Sequence, residues 1–442
     1  MAGYSQSDIA GSACYVRMRY RTLKGAAIME QLAPTAAPEA ICAQQVIEWY
    51  DEYAMRTYRR LPVVFIRGEG AYLWDADGRR YLDLESGGRA GNALGHGNPT
   101  VAKAVSSLAA SMPYLSNDFY HYYQGRLAKE LAETSRCKRA FFVNSGAEAN
   151  ECAIKLARKW AHTSRGIQEP EIITMEGSFH GRTLATITAT GQPKFQKGFE
   201  PLPRGFRYVP FNNAQALQDA ISPSTAAIMM EPVLGESGVY PATHEFVSAA
   251  RRLCDEHKLL LIFDEVQTGV GRTGRFWAHE HYGVQPDIIT NAKTLGGGLP
   301  IGVCLATEEV SAAFGPGDHG CTFGGNPISC AAALAALQHI RENSLVTNAE
   351  QVGSVLRHRL TEVAARTDAI AEVRGLGLMI GVDLKQPIAP KVVLKGLEEG
   401  LILNSSSDFT LRILPPLVLT EEQAEQAASS IERILVMVGG AA

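Results

Sequence analysis

Several things are missing from this sequence. In 442 residues there is no uninterrupted apolar stretch approaching the roughly 18 residues that a membrane-spanning helix needs, which excludes a span and predicts a soluble chain. A basic excess is also missing. Lys and Arg total 42 against 46 Asp and Glu, a net charge of −4, so no positive field exists to drive phosphate-backbone binding, and nucleic acid is excluded as the main partner. The eight cysteines form no Cys-x-x-Cys pair, and the histidines form no cluster with metal-ligand spacing. That leaves scattered thiols of a reducing compartment and no metal. No internal repeat or low-complexity tract is present. What is there is ordinary globular material, 46% apolar and 20% charged, long enough for two or three domains around a large core.

Residues 1–44 read as an N-terminal extension and linker. Within residues 1–28, Arg17, Arg19, Arg21 and Lys24 face a single acid, Asp8. This suits an organelle transit peptide, a disordered tail, or a true start at Met29. A first helix is expected around Ile41–Tyr58. The alternating runs of Val63–Leu84, broken by Gly68, Gly70 and Asp77-Gly78, predict antiparallel hairpins. A glycine-rich loop from Gly87 to Gly97 leads into a helix from Pro99 to about Ala110.

From residue 126 to about 335, helices alternate with short apolar strands. The strands are predicted at Arg139–Val143, Glu171–Met175, Ala226–Met230, Leu259–Asp264, Asp287–Thr290 and Gly302–Ala306, with helices at Ala147–His162 and His244–Glu256. That rhythm predicts an α/β fold with a mostly parallel central sheet covered on both faces. A smaller α+β unit follows: a helix over about Asn348–Arg366, strands around Ile370–Arg374, Leu378–Leu384 and Thr410–Ile413, and a terminal helix from Thr420. The expected organisation is a large domain over residues 99–340 and a small domain built from 45–98 and 341–442.

In such sheets ligands bind beyond the carboxyl ends of the strands, so the polar residues there decide the chemistry. Asp264 ends a buried strand and could cap a turn or work on a ligand. The nearby Gly269–Gly274 matches the G-x-G-x-x-G dinucleotide pattern, but it does not directly follow the strand and no helical period succeeds it. A nicotinamide-dependent oxidoreductase is the alternative from that class. Lys293 ends another buried strand ahead of Gly296-Gly297-Gly298. A free amine with a pKa near 10.4 is nucleophilic only roughly a few times in ten thousand at pH 7, but becomes useful when it holds an aldehyde cofactor. Asp264 and Lys293 together suit pyridoxal phosphate, because a carboxylate that keeps the pyridine nitrogen protonated makes the ring an electron sink. A non-catalytic scaffold would need neither residue.

The phosphate needs a cradle. Phe141–Glu148 runs from strand into helix, where the N–H groups of Gly146 and Ala147 after Ser145 can hold an anion. Ser145 and Glu148 equally fit a capping box, and the two readings are compatible. Phe179 could stack on a planar ring or simply pack in the core, and Arg182 could grip a carboxylate with its two-pronged guanidinium. Glu231 ends the next strand, and Arg412 sits in the small domain.

Five segments then appear in order: Asn144-Ser145-Gly146-Ala147-Glu148-Ala149-Asn150, Phe179-His180-Gly181-Arg182-Thr183, Asp264-Glu265-Val266-Gln267-Thr268-Gly269, Lys293 before the triple glycine, and Thr322-Phe323-Gly324-Gly325-Asn326-Pro327. Over roughly residues 45–435 the chain resembles the class III aminotransferases of fold type I, in the acetylornithine and ornithine aminotransferase branch. The resemblance implies that Lys293 carries the cofactor and moves protons, and that Asp264 pairs with the pyridine nitrogen. It also implies that Gln267 approaches the ring hydroxyl, that Val266 and Phe179 sandwich the ring, and that Ser145, Gly146 and Ala147 hold the phosphate. Thr322 would complete the phosphate site from the neighbouring subunit, making a homodimer with shared active sites. Arg182 would bind a substrate carboxylate. Glu231 would pair with Arg412, masking it for the amino donor and freeing it for a dicarboxylate.

The implied reaction moves the terminal amino group of N-acetylornithine, or a similar N-acylated diamino acid, to 2-oxoglutarate. It gives the semialdehyde and glutamate by a ping-pong route, as in arginine biosynthesis. The implied location is the cytoplasm, or an organelle matrix if residues 1–28 are a transit peptide. An ornithine, 4-aminobutyrate or other ω-amino acid aminotransferase is the alternative within the class. One departure stands out: Arg89 and Gly91 occupy positions where the acetylornithine branch has small or apolar residues. A cation there would favour an acidic or modified tail, unless Arg89 points to solvent.

Overall fold

The computed structural model describes residues 42–439, so the readings made for residues 1–41 lie outside the described residues. Among the described residues two units are distinguished, divided between Val64 and Phe65. In the first, a helix spans Ala43–Tyr53 and stops short of Tyr58 because Ala54 turns extended, with φ −100° and ψ 140°.

The second unit is organised by a seven-stranded sheet. In chain order its strands are β1 (Arg139–Val143), β2 (Glu171–Met175), β3 (Phe206–Val209), β4 (Thr225–Met230), β5 (Leu260–Asp264), β6 (Ile288–Asn291) and β7 (Gly302–Ala306). In space they run β1-β7-β6-β5-β4-β2-β3. Strand β7 is antiparallel to both β1 and β6, while the other pairs are parallel. Strands β4, β5, β6 and β7 are buried at every residue, as sheets covered on both faces require. Strand β3 escaped the sequence pattern because Phe-Arg-Tyr-Val is a half-exposed edge without an apolar run.

The covering helices follow from local chemistry. Helix α1 (Gly146–Arg165) starts where Ser145 accepts a hydrogen bond from the Glu148 N–H, and stops at Gly166 in the left-handed region. Its inner stripe of Ala149, Cys152, Ala153, Leu156, Ala157 and Trp160 is mostly small, which lets it lie close over the sheet. Helix α2 (His244–His257) is capped by Thr243 and buries Phe246, Val247, Ala250 and Leu253 on the other side. The predicted Pro99–Ala110 helix spans Pro99–Ala109, capped by Asn98.

Two further sheets frame the site. Phe65–Glu69, Tyr72–Asp75 and Arg80–Asp83 form the expected antiparallel hairpins, and Leu401–Ile402 joins them in parallel from the far end of the chain. Ile370–Leu376, Met379–Leu384, Thr410–Ile413 and Asn404–Ser405 form an antiparallel sheet, with helix Leu345–Thr367 packed on its first strand. A hydrogen bond of 2.7 Å from Leu414 N to Leu84 O ties the two sheets together.

Gly269–Gly274 is a clamp. It opens no long helix, only leading to a short turn at Ala278–Tyr282, and its Arg272 is completely buried. That guanidinium donates to the carbonyls of Leu378 and Pro415 and to Ser86 Oγ. The loop therefore lacks the strand–turn–helix setting of a dinucleotide site, which removes the support for a nicotinamide enzyme.

Glycine is required at residue 302, the first position of β7. A Cβ there would collide with the carbonyl oxygen of Ser145. We expect Gly302→Ala to cost about 1–3 kcal/mol and to lower Tm in thermal denaturation. Gly125→Ala, on an open helix face with nothing within 4 Å, should be neutral or raise stability by up to about 1 kcal/mol.

Candidate active site

A cavity of about 470 Å³ opens at the rim where β1, β5 and β6 end and α1 begins. Asp264, the last residue of β5, points into it and is almost fully buried. Its Oδ2 accepts from Asn150 Nδ2 at 2.7 Å and meets His180 Nδ1 at 2.8 Å, while Oδ1 accepts from Val266 N at 3.0 Å. Asn150 is itself fixed, since its Nδ2 also donates to His180 O at 2.7 Å and its Oδ1 accepts from Thr290 Oγ1 at 2.6 Å. The carboxylate thus has one orientation and a partner for its charge.

Thr290 on β6 lies directly opposite Asp264, so Lys293, three residues on, leaves the sheet on the same rim and lines the same cavity. Lys293 sits at φ +44°, a left-handed conformation that is strained for a side-chain-bearing residue. Burial lowers its pKa, while the carboxylate of Glu236 pulls it back upward, Arg412 lowers it, and Asp264 and Glu231 raise it. The net effect makes a neutral amine more accessible than on an exposed lysine.

Ser145, Gly146 and Ala147 form the start of α1 on the cavity wall. The Ser145 cap is real, and Glu148 Oε2 also accepts from Asn144 N at 3.0 Å and Ser145 Oγ at 2.9 Å. The N–H groups of Gly146 and Ala147 belong to the first turn and have no intrahelical acceptor. Gly146 is matched to Val266: a Cβ at residue 146 would lie 2.5 Å from Val266 Cγ1. Val266 and Phe179 both line the cavity, as does Gln267, whose Oε1 is buried without a partner. Arg182 lies over the rings of Phe195 and Phe179, at 4.1 and 5.5 Å, at the exposed mouth. A free amine, a fixed carboxylate, a flat apolar slot, an unsatisfied amide oxygen and an open helix N-terminus together fit pyridoxal phosphate.

The expected pairing of Glu231 with Arg412 is corrected. Glu231 Oε1 accepts from Phe179 N at 2.8 Å and Oε2 from Gly235 N at 3.1 Å. Both oxygens are thus taken by backbone N–H groups, one in the loop after β2 and one in the turn that Glu231 opens, and burial first, then Asp264, pushes its pKa up to about 7. The partner of Arg412 is Glu236, at 2.6 Å from Nη1 to Oε1. Burial alone would raise the Glu236 carboxyl, but the charge of Arg412, then Lys293, holds it at about 2. Glu236 lines the cavity and Arg412 stands behind it, 1% exposed. Thr322 is exposed and does not line the cavity of its own chain.

A fixed acid opposite a strained lysine, at the strand ends of a mostly parallel sheet, defines a fold type I pyridoxal-phosphate enzyme. Residues 53–435 match the Aminotransferase class-III family, and the chain belongs to it. It is 45% identical over 390 residues to the acetylornithine aminotransferase of Caldanaerobacter subterraneus, covering 88% of this chain and 99% of that protein. Among solved structures, the acetylornithine aminotransferase of Elizabethkingia anophelis superposes with a TM-score of 0.81 at 34% identity, covering 89% of this chain and 99% of the other. The ornithine aminotransferase of Toxoplasma gondii, with pyridoxal phosphate at partial occupancy in its active site, superposes at 0.88 and 31% identity, covering 94% and 98%. Class-III aminotransferases use pyridoxal phosphate, and so does this chain.

Three site residues were not singled out from sequence: Asn150, His180 and Glu236. The first two stood inside recognised segments, Asn150 one helical turn after Gly146 and His180 beside Phe179. Glu236 carried a signal of its own, an acid set between Gly235 and Ser237-Gly238.

Removing the cation of the buried pair should expose its cost. Arg412→Met leaves Glu236 unpaired and should destabilise by about 3–5 kcal/mol. In the native protein Glu236 titrates below its ordinary range, so it contributes stability above that range, lost as pH falls toward 2. In the variant its pKa rises instead, so the Tm deficit should widen from about pH 5 to about pH 8. Adding Glu236→Gln should remove that widening.

Proposed function

We propose that this chain transfers the terminal amino group of N-acetylornithine to 2-oxoglutarate, giving the semialdehyde and glutamate in two half-reactions in one pocket. The observation that carries this reading is the Glu236–Arg412 pair at the edge of the cavity that holds Lys293 and Asp264. When bound, pyridoxal phosphate supplies an electron sink that acidifies the C–H beside the amino nitrogen.

The chain's own residues do the rest. Gly146 and Ala147 offer N–H groups to the phosphate, with Ser145 beside them. Asp264, kept in place by Asn150 and His180, holds the proton on the ring nitrogen. Gln267 Oε1 is free to accept from the ring hydroxyl. Phe179 and Val266 fix the plane and exclude water. Lys293 Nζ would take the proton from the terminal carbon of the donor and deliver it to the carbon that was the cofactor's aldehyde, which leaves the amino group on the cofactor and the donor as the semialdehyde. Arg182 at the mouth binds the α-carboxylate. While the donor is bound, Arg412 stays neutralised by Glu236, which spares the uncharged acyl tail a buried lone cation. A carboxylate of 2-oxoglutarate then takes the place of Glu236 on Arg412.

Thr322 reaches the phosphate of the neighbouring subunit in a homodimer. Its exposure away from its own cavity, beside Phe323 at 59% exposure, supports that arrangement. The large domain covers residues 99–340 and the small domain 45–98 with 341–442. The enzyme works in the cytoplasm. Among the described residues no helix is long and apolar enough to cross a membrane.

The purified protein should be yellow, and borohydride should fix the cofactor mass on the peptide containing Lys293. Lys293→Ala should abolish turnover while retaining some cofactor; normal turnover would refute the assignment. Nicotinamide binding without an adduct would instead favour an oxidoreductase. Donor profiling against 2-oxoglutarate should rank N-acetylornithine above ornithine and 4-aminobutyrate, and the reverse order would move the chain to the ω-amino acid alternative. Arg89 stands in the loop that places Gly91 on the cavity wall, and its charge reaches Glu236. Arg89→Ile should change the ranking of acylated donors with anionic and neutral tails. An unchanged ranking would assign Arg89 to solvent.

A further inference from the structure

Glu85 is a half-buried acid for which the reaction as described has no use. It follows strand Arg80–Asp83 and is clamped on either side to the segment just beyond Arg412. Leu84 O accepts from Leu414 N at 2.7 Å, and Ser86 Oγ donates to Leu414 O at 2.6 Å. Its own backbone is fully engaged, N donating to Asp83 Oδ1 at 2.8 Å and O accepting from Gly88 and Ala90 N at 3.0 Å. The side chain is not: Oε1 is buried without a hydrogen-bond partner. A buried carboxylate oxygen in that condition is costly unless it carries a proton or gains a cation.

The charges whose field reaches it are those of Arg412, Asp83, Arg89 and Glu236. Asp83 is in turn engaged by His96 Nε2 at 2.8 Å and Gly87 N at 2.6 Å. Two guanidinium groups thus act on a set of three carboxyl groups, of which Glu236 is paired with Arg412 and Asp83 is held by His96. Burial foremost, with Asp83 and Glu236 adding to it against Arg412 and Arg89, pushes the Glu85 pKa up to about 7. Both protonation states are therefore populated near neutrality.

We infer that Glu85 is a second carboxyl partner of Arg412 that takes up a solvent proton when a dicarboxylate binds there, and so sets the affinity for the acceptor. A dicarboxylate brings one more negative charge to a buried cluster that already holds Glu236 and Asp83. Protonation of Glu85 removes one charge and leaves the guanidinium to the incoming carboxylate. The amino donor, whose neutral tail leaves the Glu236–Arg412 pair intact, demands no such proton. Glu85 acts through Arg412 and is a positioning residue.

This inference rests on the reading of Arg412 as the acceptor's anchor, and the test separates the two. Glutarate, a non-reactive dicarboxylate, is titrated calorimetrically into cofactor-loaded enzyme from about pH 6 to about pH 8.5, in buffers of different ionisation enthalpy. Proton uptake should approach one per glutarate at the alkaline end, and Kd should weaken by up to about tenfold per pH unit above neutrality, the limit for one linked proton. Glu85→Gln should bind glutarate with no net uptake and a nearly flat Kd, while its donor half-reaction with N-acetylornithine is unchanged.

If glutarate binds the native enzyme without proton uptake at about pH 8, the inference falls, whatever the variant does. It falls equally if the variant keeps the native pH dependence, which would assign the proton to His96 or another group. If instead the native enzyme fails the donor half-reaction, the functional reading fails rather than the role of Glu85.

Discussion

The structure depends on holding one carboxylate in a single orientation where solvent hardly reaches it. Asp264 is nearly without solvent, and what holds it is the bond to His180 on one oxygen, reinforced by Asn150. Asn150 comes from α1, His180 from the loop after β2, and Thr290, which orients Asn150, from β6. Three elements converge on one group, so the acid cannot turn away from the cavity without breaking bonds in each of them. The same helix whose first turn faces the cavity thus carries, one turn later, the amide that orients the acid. Cofactor grip at one end and electronic control at the other are mechanically one object.

A second electrostatic arrangement answers a different demand. A pocket that alternates between a donor with an uncharged tail and a dicarboxylate must show a cation to one and hide it from the other. Arg412 on the small sheet and Glu236 in the turn after β4 meet across the cavity edge, and the pair is buried deeply enough for each charge to need the other. Neutral-tailed and anionic ligands are then distinguished by whether they can displace a carboxylate, which is a specificity device more than a source of stability. Glu231, five residues earlier, has a structural task, holding the N–H groups of Phe179 and Gly235 so that the ring-facing loop and the turn carrying Glu236 keep their places.

Much of the fold could be read before any coordinates. Six of the seven central strands and both covering helices had a period, a cap or an apolar run to mark them, and their ends fall within a few residues of the expected positions. Strand β3 had none of these, being an edge whose Arg207 and Tyr208 face water. The G-x-G-x-x-G run shows how a pattern can arise for an unrelated reason: Gly271 and Gly274 adopt left-handed turns around a buried arginine that bonds two backbone carbonyls and a serine hydroxyl from distant segments. Periodicity reports burial and turn geometry well, but says nothing of what the turns are for.

The amino-acid order by itself determined which residues end buried strands, and hence that an acid, an amine and a helix N-terminus would share one rim. That follows because strand and helix identity are local properties, set by side-chain alternation and caps within a few residues. Which acid would meet Arg412 was decided only in three dimensions. Glu231 and Glu236 carry the same side chain and stand five positions apart, and their roles diverge because the turn between them aims one at backbone N–H groups and the other at a guanidinium from the far end of the chain. The exposed placement of Thr322 and the clustering of Glu85 with Arg412 are likewise products of long-range packing, where residues hundreds of positions apart become neighbours for reasons that no local pattern encodes.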